Sequence, residues 1–376
     1  MKIALDVMGG DHAPAVTVAG AVQAAREFGI EIILVGPEDV IRRELAKHKT
    51  DGLALPLVHA SQVLEMTDHP ATAARSKRDS TMAVGANLVK RGEADAFVTC
   101  GNTGGALATG LFVLGRIKGI KRPALTTLFP SGDGFCLLLD IGANTEVKPE
   151  YLHQFAVMGS LYAERVFHLE RPRVAIVSNG EEEGKGSELV KETVPLLKAD
   201  SGLNFVGNVE GKDIVAGVAD VVITDGFTGN VIIKFGEGIV KLLLTALRRE
   251  LRANLARNAA LGLLPTVALA ALTAQGVPDF LLRLLLGLAA ALALPAALLL
   301  PGLRKVARRL DYTEYGSAPL LGLDGLLLVG HGRSNAKAVR GALRTAKQAV
   351  ENNTLEAIRA GVQARSLGDD LSLIHI

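Results

Sequence analysis

Along the first 230 residues, short runs of apolar and β-branched positions alternate with stretches of helical spacing. Ile3–Val7, Ile32–Gly36, Pro56–His59, Ala96–Thr99, Phe135–Asp140, Val174–Ser178, Phe205–Gly207 and Val221–Thr224 read as strands. Stretches such as Pro14–Phe28 and Asp39–Lys47 read as helices between them. This alternation predicts βαβ units and a mostly parallel sheet. Phe-Cys-Leu-Leu-Leu-Asp at 135–140 is apolar on both faces, as a strand covered by helices requires. Thr126–Phe129 and Phe135–Leu139 flank Pro-Ser-Gly-Asp-Gly, which predicts a hairpin and one antiparallel element within the sheet.

After residue 230 the pattern changes. One long helix is predicted over Gly236–Arg257. Two uncharged stretches of 20 residues follow, Ala259–Pro278 and Leu284–Leu303, with Asp279-Phe-Leu-Leu-Arg283 between them. Leu326–Val329 reads as a strand, and the helix Asn335–Asn352 closes the fold. The last residues, Leu371–Ile376, can be back-translated into a sequencing-library adapter. They are expected to be non-native and are left out of the fold.

Composition narrows the class. At roughly 150 residues per domain, 376 residues make two to three domains or one large α/β unit. With 49% apolar and 21% charged residues, the chain buries enough surface to fold. Its 41 glycines have no triplet period, which excludes collagen. Two cysteines exclude a disulfide scaffold and a four-cysteine zinc site. Aromatics at 4%, with no Trp, argue against a stacking platform for single-stranded nucleic acid.

The net charge of +2 is unevenly spread. Arg248 to Arg309 holds nine basic residues against Glu250 and Asp279, for +7, leaving −5 elsewhere. This basic stretch is also the most apolar, a combination that fits an anionic membrane surface better than nucleic acid. The start, Met-Lys-Ile-Ala-Leu-Asp, lacks the pattern of a signal peptide, so a cytoplasmic protein is expected.

The chemistry-bearing residues follow strands: Asp6–Pro14, Thr99–Gly105, Asp140–Asn144, Asn179–Gly186 and Asp225–Asn230. Ligands of open α/β sheets bind beyond the carboxyl ends of strands, so these loops are expected to converge on one cleft. Val98–Ala106 and Ile223–Val231 both read strand, Gly-x-Thr-Gly, helix. Glycines let the backbone approach an anion, and free N–H groups at a helix start point at it. That suits phosphate. No Walker A motif occurs, and no Gly-x-Gly-x-x-Gly follows the first strand. Lys185, among glycines and beside three acids, is either a surface-turn residue or a cation that reaches an oxyanion. Asn230 is either a helix cap or an amide offered to that oxyanion. Cys100, ahead of a helix start, is either a reactive thiol or a small buried residue. The histidines show no metal spacing; His12 and His331 lie beside Gly-rich turns, where each either touches substrate or is structural.

Together these loops resemble the phosphate acyltransferases of bacterial phospholipid synthesis. The resemblance runs from Lys2 to about Val350. It rests on Asp6-x-Met-Gly-Gly-Asp11-x-Ala-Pro14, Gly101-Asn-Thr-Gly104, Asp140-Ile-Gly-Ala-Asn144, Asn179-Gly-Glu-Glu-x-Gly-Lys-Gly186 and Asp225-Gly-Phe-x-Gly-Asn230. Tyr315-Gly-Ser-Ala-Pro-Leu-Leu-Gly322, His331-Gly-x-Ser334 and the polar segment Met66–Ser80 also match. The resemblance implies a three-layer α/β fold with an open, mostly parallel sheet, like isocitrate and isopropylmalate dehydrogenases. It implies a homodimer that transfers an acyl group from acyl carrier protein to inorganic phosphate, with no cofactor or metal. By carry-over, Lys185 and Asn230 are the catalytic pair. Gly10, Asp11, Gly101, Asn102, Thr103, Gly104, Asp140, Asn144, Asp225, Thr228, Gly229 and His331 line the substrate pocket. Arg75, Lys77 and Arg78 are either a docking patch for the acidic carrier protein or a solvated basic face.

The expected organisation is an α/β domain over 1–350, an apolar helical insertion over 257–303 within it, and a tail over 351–376. The insertion is longer and more apolar than the family pattern. It reads as a membrane-embedded hairpin, an interfacial amphipathic hairpin or a protein-buried dimer contact. The alternatives to the main reading are a short-chain phosphate acetyltransferase using coenzyme A and a noncatalytic membrane scaffold for acyl carrier protein.

Overall fold

The computed structural model describes residues 1–132, 134–273 and 317–372. The chain divides into two units, Met1–Ile233 with Tyr312–Ile376, and Lys234–Asp311.

The first unit is built on one sheet of eleven strands: β1 Lys2–Asp6, β2 Glu31–Gly36, β3 Leu57–His59, β4 Ala96–Thr99, β5 Ala124–Ser131, β6 Gly134–Leu139, β7 Arg173–Val177, β8 Asn204–Val209, β9 Val221–Ile223, β10 Ser317–Leu321 and β11 Leu326–Gly330. Their order is β3-β2-β1-β4-β11-β10-β5-β6-β9-β7-β8. β1 sits between two parallel neighbours, with Ile3 opposite Ile32 on one side and Ala96 on the other. Ile3, Ala4 and Leu5 are all fully buried, so both faces of this strand are covered, as its unbroken apolar run requires.

Helices supply the cover. In Ala15–Phe28 the buried positions Val18, Ala21, Val22 and Ala25 repeat at three and four residues, one stripe of a helix. The helix stops at Gly29, left-handed at φ 64°, whose N–H returns to the Ala25 carbonyl. Val339, Ala342, Leu343 and Ala346 of the helix Ala336–Glu351 join the same apolar cluster. A second cluster centres on Phe155 of the helix Pro149–Phe167. Ile358 and Val362 of the helix Thr354–Ser372 belong to it, so the stretch read as a tail from residue 351 carries core residues.

The sequence predicted one antiparallel element, whereas the sheet contains three antiparallel pairings in succession. β11 pairs with β10, β10 with β5 and β5 with β6. The hairpin β5–β6 is the predicted one. β10 was not expected because Pro319 and flanking glycines read against a strand; its pairing with β5 begins only at Leu320. The three reversals leave β1, β4 and β11 running one way and β6, β7 and β9 the other.

The long helix runs from Gly226 to Thr273, well beyond the predicted Gly236–Arg257 at both ends. Its start was missed because Gly226 and Gly229 are weak helix formers. Among the described residues no helix is long and apolar enough to cross a membrane. Residues 274–303 of the expected apolar insertion lie outside the described residues, as does the chain end at 373–376.

Candidate active site

The structure gathers the sequence candidates into two groups, one at the carboxyl ends of β1, β4 and β11, the other at those of β6, β7 and β9.

In the first group, Asp6 ends β1 fully enclosed. Its Oδ2 accepts from the Thr99 hydroxyl at 2.7 Å and its Oδ1 from the Met8 N–H at 3.0 Å. Thr99 Oγ1 in turn accepts from the Gly101 N–H at 3.0 Å, which ties the two Gly-rich loops together. Burial pushes the Asp6 carboxyl above the usual range, against the opposing pull of Thr99, Thr81, Met8 and Gly9. The Asp11 N–H donates to the Gly332 carbonyl at 2.7 Å, bringing the β1 loop beside His331. Gly10 makes that approach at φ 106°, a left-handed conformation suited to glycine. Half-buried His331 accepts from the Arg333 N–H through Nδ1 at 3.1 Å.

Asn102 is the N-cap of the helix Thr103–Val113. Its Oδ1 accepts from the Gly105 N–H at 3.0 Å, and its Nδ2 donates to the Glu65 and Met66 carbonyls. The capping leaves the first-turn N–H groups of Thr103 and Gly104 for an anion. Cys100 is 1% exposed, and burial lifts its thiol to about 11, so the small-residue reading holds over the reactive thiol.

In the second group, Asp140 is buried, and its carboxylate organises the loop. Oδ1 accepts N–H bonds from Leu125, Gly142 and Ala143 at 3.0–3.1 Å; Oδ2 accepts the Asn144 N–H at 2.7 Å and its side-chain amide at 2.8 Å. Burial pushes this carboxyl upward too, against the opposing pull of Ala143, Asn144 and Gly142. Asp140 therefore shapes the site from beneath. Asn144 is spent likewise, since its amide also donates to the Pro123 carbonyl at 2.8 Å.

Asp225 caps the long helix. Its carboxylate accepts the Thr228 N–H at 2.9 Å and the Thr228 hydroxyl at 2.7 Å. The cap reading of Asn230 thus passes to Asp225. Asn230 sits one turn in, exposed, with its amide against Gly142: a Cβ there would lie 3.0 Å from Nδ2. Gly229 lies directly on the Asp140 carbonyl, and the Gly226 N–H donates to the Asn144 carbonyl at 2.7 Å.

Lys185 is exposed on its loop. The three preceding acids do not hold it. Glu181 pairs with Lys212 at 3.0 Å and Glu183 with Lys198. Among the described residues the Lys185 ammonium enters no ion pair. The loop is pinned by Asn208, whose amide donates to the Glu182 carbonyl at 3.0 Å and the Lys185 carbonyl at 3.5 Å. A cavity of about 510 Å³ opens between this loop and the Asp225 cap, with Asn179, Gly186, Asp225 and Thr228 on its wall.

Elsewhere, Lys77 of the basic trio is taken by Asp68 at 2.6 Å, and Arg75 lies over the Phe112 ring at 4.7 Å. Among the described residues one acidic cluster, Glu181, Glu210 and Asp213, has the spacing of metal ligands, but the Lys212 ammonium binds both glutamates. Sequence reasoning set Asp6 and Thr99 at the heads of two chemistry-bearing loops without giving either a role, and missed Asn208. The one signal for Asn208 is a polar residue near the end of an apolar run.

The family profile described as fatty acid synthesis protein matches residues 1–274 and 267–357. A phosphate acyltransferase of Herpetosiphon aurantiacus is 49% identical over 368 residues, covering 98% of this chain and 99% of that protein. One from Heliobacterium modesticaldum is 45% identical over 367 residues, covering 97% and 98%. This chain therefore belongs to the phosphate acyltransferase family. Among solved structures, the EutD phosphotransacetylase of Staphylococcus aureus superposes with a TM-score of 0.54 at 15% identity, over 94% of each chain. A 4-hydroxythreonine-4-phosphate dehydrogenase from Klebsiella pneumoniae reaches 0.50 at 13%, over 93% of this chain and 99% of that one. At such identities the likeness is one of fold, shared by a phosphotransacetylase and a dehydrogenase.

Proposed function

We propose that this chain transfers a fatty acyl group from an acyl carrier protein to inorganic phosphate, giving acyl phosphate for phospholipid synthesis. The carrying observation is an exposed Lys185 ammonium that enters no ion pair among the described residues, two of its three neighbouring acids being paired with Lys212 and Lys198, on the loop beside a capped helix start. Lys185 attracts the phosphate dianion and then stabilises the oxyanion, and the Asn230 amide orients it. Helix-start N–H groups at Thr103 and Gly104, with Asp11 and His331 nearby, complete the pocket.

A phosphate oxygen attacks the thioester carbonyl carbon and forms a C–O bond. The tetrahedral intermediate collapses by breaking the C–S bond. The thiolate leaves with the electron pair and takes the proton that hydrogen phosphate gave up. No enzyme nucleophile is required, because the thiolate leaves readily; positioning and charge do the catalysis.

One pocket made from both groups is part of this proposal. Ile141 and Ala143 of the Asp140 loop pack on the apolar cluster that Leu107 and Leu111 of the helix Thr103–Val113 also join, which supports it. So does sheet twist. Six strand steps from β1 to β9, at about 20–25° each, bring carboxyl ends that point oppositely in a flat sheet to within about 30–60° of one direction.

The proposal also covers the setting. Exposed Phe235, Ile239, Leu242 and Leu243 on the long helix favour a homodimer. The apolar stretch 257–303, set within the basic run Arg248–Arg309, favours a cytoplasmic protein that works at an anionic membrane surface.

The test is phosphate-dependent release of free carrier protein from palmitoyl-carrier protein, wild type beside Lys185→Ala. Release with acyl phosphate formed, and a loss of about a hundredfold or more in the variant, is expected. Phosphate-independent release would make it a thioesterase. Turnover confined to acetyl-coenzyme A would favour the short-chain enzyme. Carrier-protein binding without turnover would favour the scaffold.

A further inference from the structure

The loop Asn179–Gly186 folds Lys185 back over its own beginning, and three residues outside the catalytic pair hold it there. Gly180 is buried although the residues on either side of it are exposed. The atoms nearest its missing side chain belong to the lysine and to Glu182. A Cβ at 180 would stand 2.8 Å from Lys185 Cγ, 3.2 Å from Lys185 Cβ and 2.9 Å from Glu182 Oε2, all inside the 3.4 Å at which ordinary contact begins. Gly180 is not in the left-handed region, so this glycine supplies space and not backbone freedom. The backbone around the lysine is held by two side-chain amides. Asn179 Oδ1 accepts the Gly186 N–H at 2.9 Å, directly after Lys185. Asn208, 9% exposed near the end of β8, donates to the Glu182 carbonyl at 3.0 Å and to the Lys185 carbonyl at 3.5 Å. A buried amide is costly unless paired, and this one spends its nitrogen on the lysine's loop.

We propose that Asn179, Gly180 and Asn208 are positioning residues for Lys185: the two amides fix its backbone, and Gly180 is the seat on which its stem lies. The inference rests on the reading of Lys185 as the catalytic cation and deepens it. A lysine on an unheld loop loses loop and rotamer freedom when it meets its anion. Seating the stem beforehand removes part of that cost and aims the ammonium before phosphate arrives.

The experiment measures acyl phosphate formation from palmitoyl-carrier protein over a range of phosphate concentrations. Gly180→Ala and Asn208→Ala are each made alone and together with Lys185→Ala, with urea unfolding of every variant. Gly180→Ala should lower kcat/KM for phosphate by about tenfold to a hundredfold, the effect of misplacing a catalytic group by up to about an ångström. Its urea midpoint should stay near that of wild type, because the Lys185 and Glu182 side chains in the way are exposed and free to swing out. Asn208→Ala should lower kcat/KM by about fivefold or more, the ordinary worth of a lost hydrogen bond. In the Lys185→Ala background each substitution should change the remaining rate by less than about twofold, since no ammonium is left to misplace. A residue that only stabilised the loop would cost the same in both backgrounds. Equal losses in the two backgrounds, or wild-type rates in Gly180→Ala beside a crippled Lys185→Ala, would overturn the assignment. Asn208→Ala carries the same cycle if Gly180→Ala fails to fold. Wild-type rates in Lys185→Ala would instead overturn the reading of Lys185 beneath it.

Discussion

Replacing Gly229 by alanine should disable the site by moving it. A Cβ at 229 would stand 1.9 Å from the Asp140 carbonyl oxygen, where ordinary contact begins at 3.4 Å. Either the helix start or the Asp140 loop must therefore withdraw by about 1.5 Å. Neither side yields cheaply. Five donors on the Asp140 carboxylate hold the loop, and the Asp225 cap with the Gly226-to-Asn144 bond holds the helix. Overpacking of this kind costs about 1–3 kcal/mol. A displacement of about an ångström at a reacting centre costs on the order of a hundredfold in rate. Gly238→Ala is the control, in the same helix, where none of the described residues lies within 4 Å of the position its Cβ would take. It should stabilise by about 0.8–1.0 kcal/mol, the ordinary gain in a helix interior. Urea unfolding and the rate of acyl phosphate formation read both effects. Wild-type turnover in Gly229→Ala, with stability matching the control, would refute the argument that this glycine lets helix and loop touch.

Three other predictions rest on titration and access. Asp200 is pushed upward by burial, but His153, Arg365 and the Gly202 N–H outweigh it and hold it at about 2. Its contribution, about 2 kcal/mol, should be present above the ordinary carboxylate pKa and fade as pH falls toward 2; Asp200→Asn should flatten that acid limb in urea titrations. Asp6 is shifted the other way, so ionising it costs stability as pH rises from 3.8 upward. The stability of wild type relative to Asp6→Asn should then fall as pH rises above 3.8, and a gap independent of pH would contradict it. Cys100 and Cys136, raised to about 11 and 12 by burial, should resist iodoacetamide in the native protein and react on unfolding; alkylation at a native-state rate near that of free thiol would count against their enclosure.

The parallel strands and the loops that follow them were legible because both leave local marks: an apolar run, then small polar residues. The reversal of the sheet was not. It depends on which strands become neighbours, and β10 with its proline carries no strand pattern. The division of labour inside the loops was hidden for a related reason. Asp140, Asp225 and Asn102 look like ligands in sequence, but folding turns their oxygens onto backbone N–H groups of their own loops. Lys185 stood out in sequence as one cation beside three acids; what the sequence did not show is that Lys212 and Lys198 pair with Glu181 and Glu183. Side-chain pairing across distant loops has no signature in spacing.

The strand order has a consequence for synthesis on the ribosome. β4 and β5 are consecutive in the chain, yet β11 and β10 lie between them in the sheet. The N-terminal strands can pair as they emerge, but the slot between β4 and β5 waits for residues 317–330, about 190 residues after β5. At 5–20 residues per second that is roughly 10–40 s of translation. Throughout it, two apolar strand edges stand open, and such edges template pairing with other chains. The nascent protein thus passes through an obligatory window of aggregation risk, closed only when residues 317–330 are threaded into the middle of the sheet.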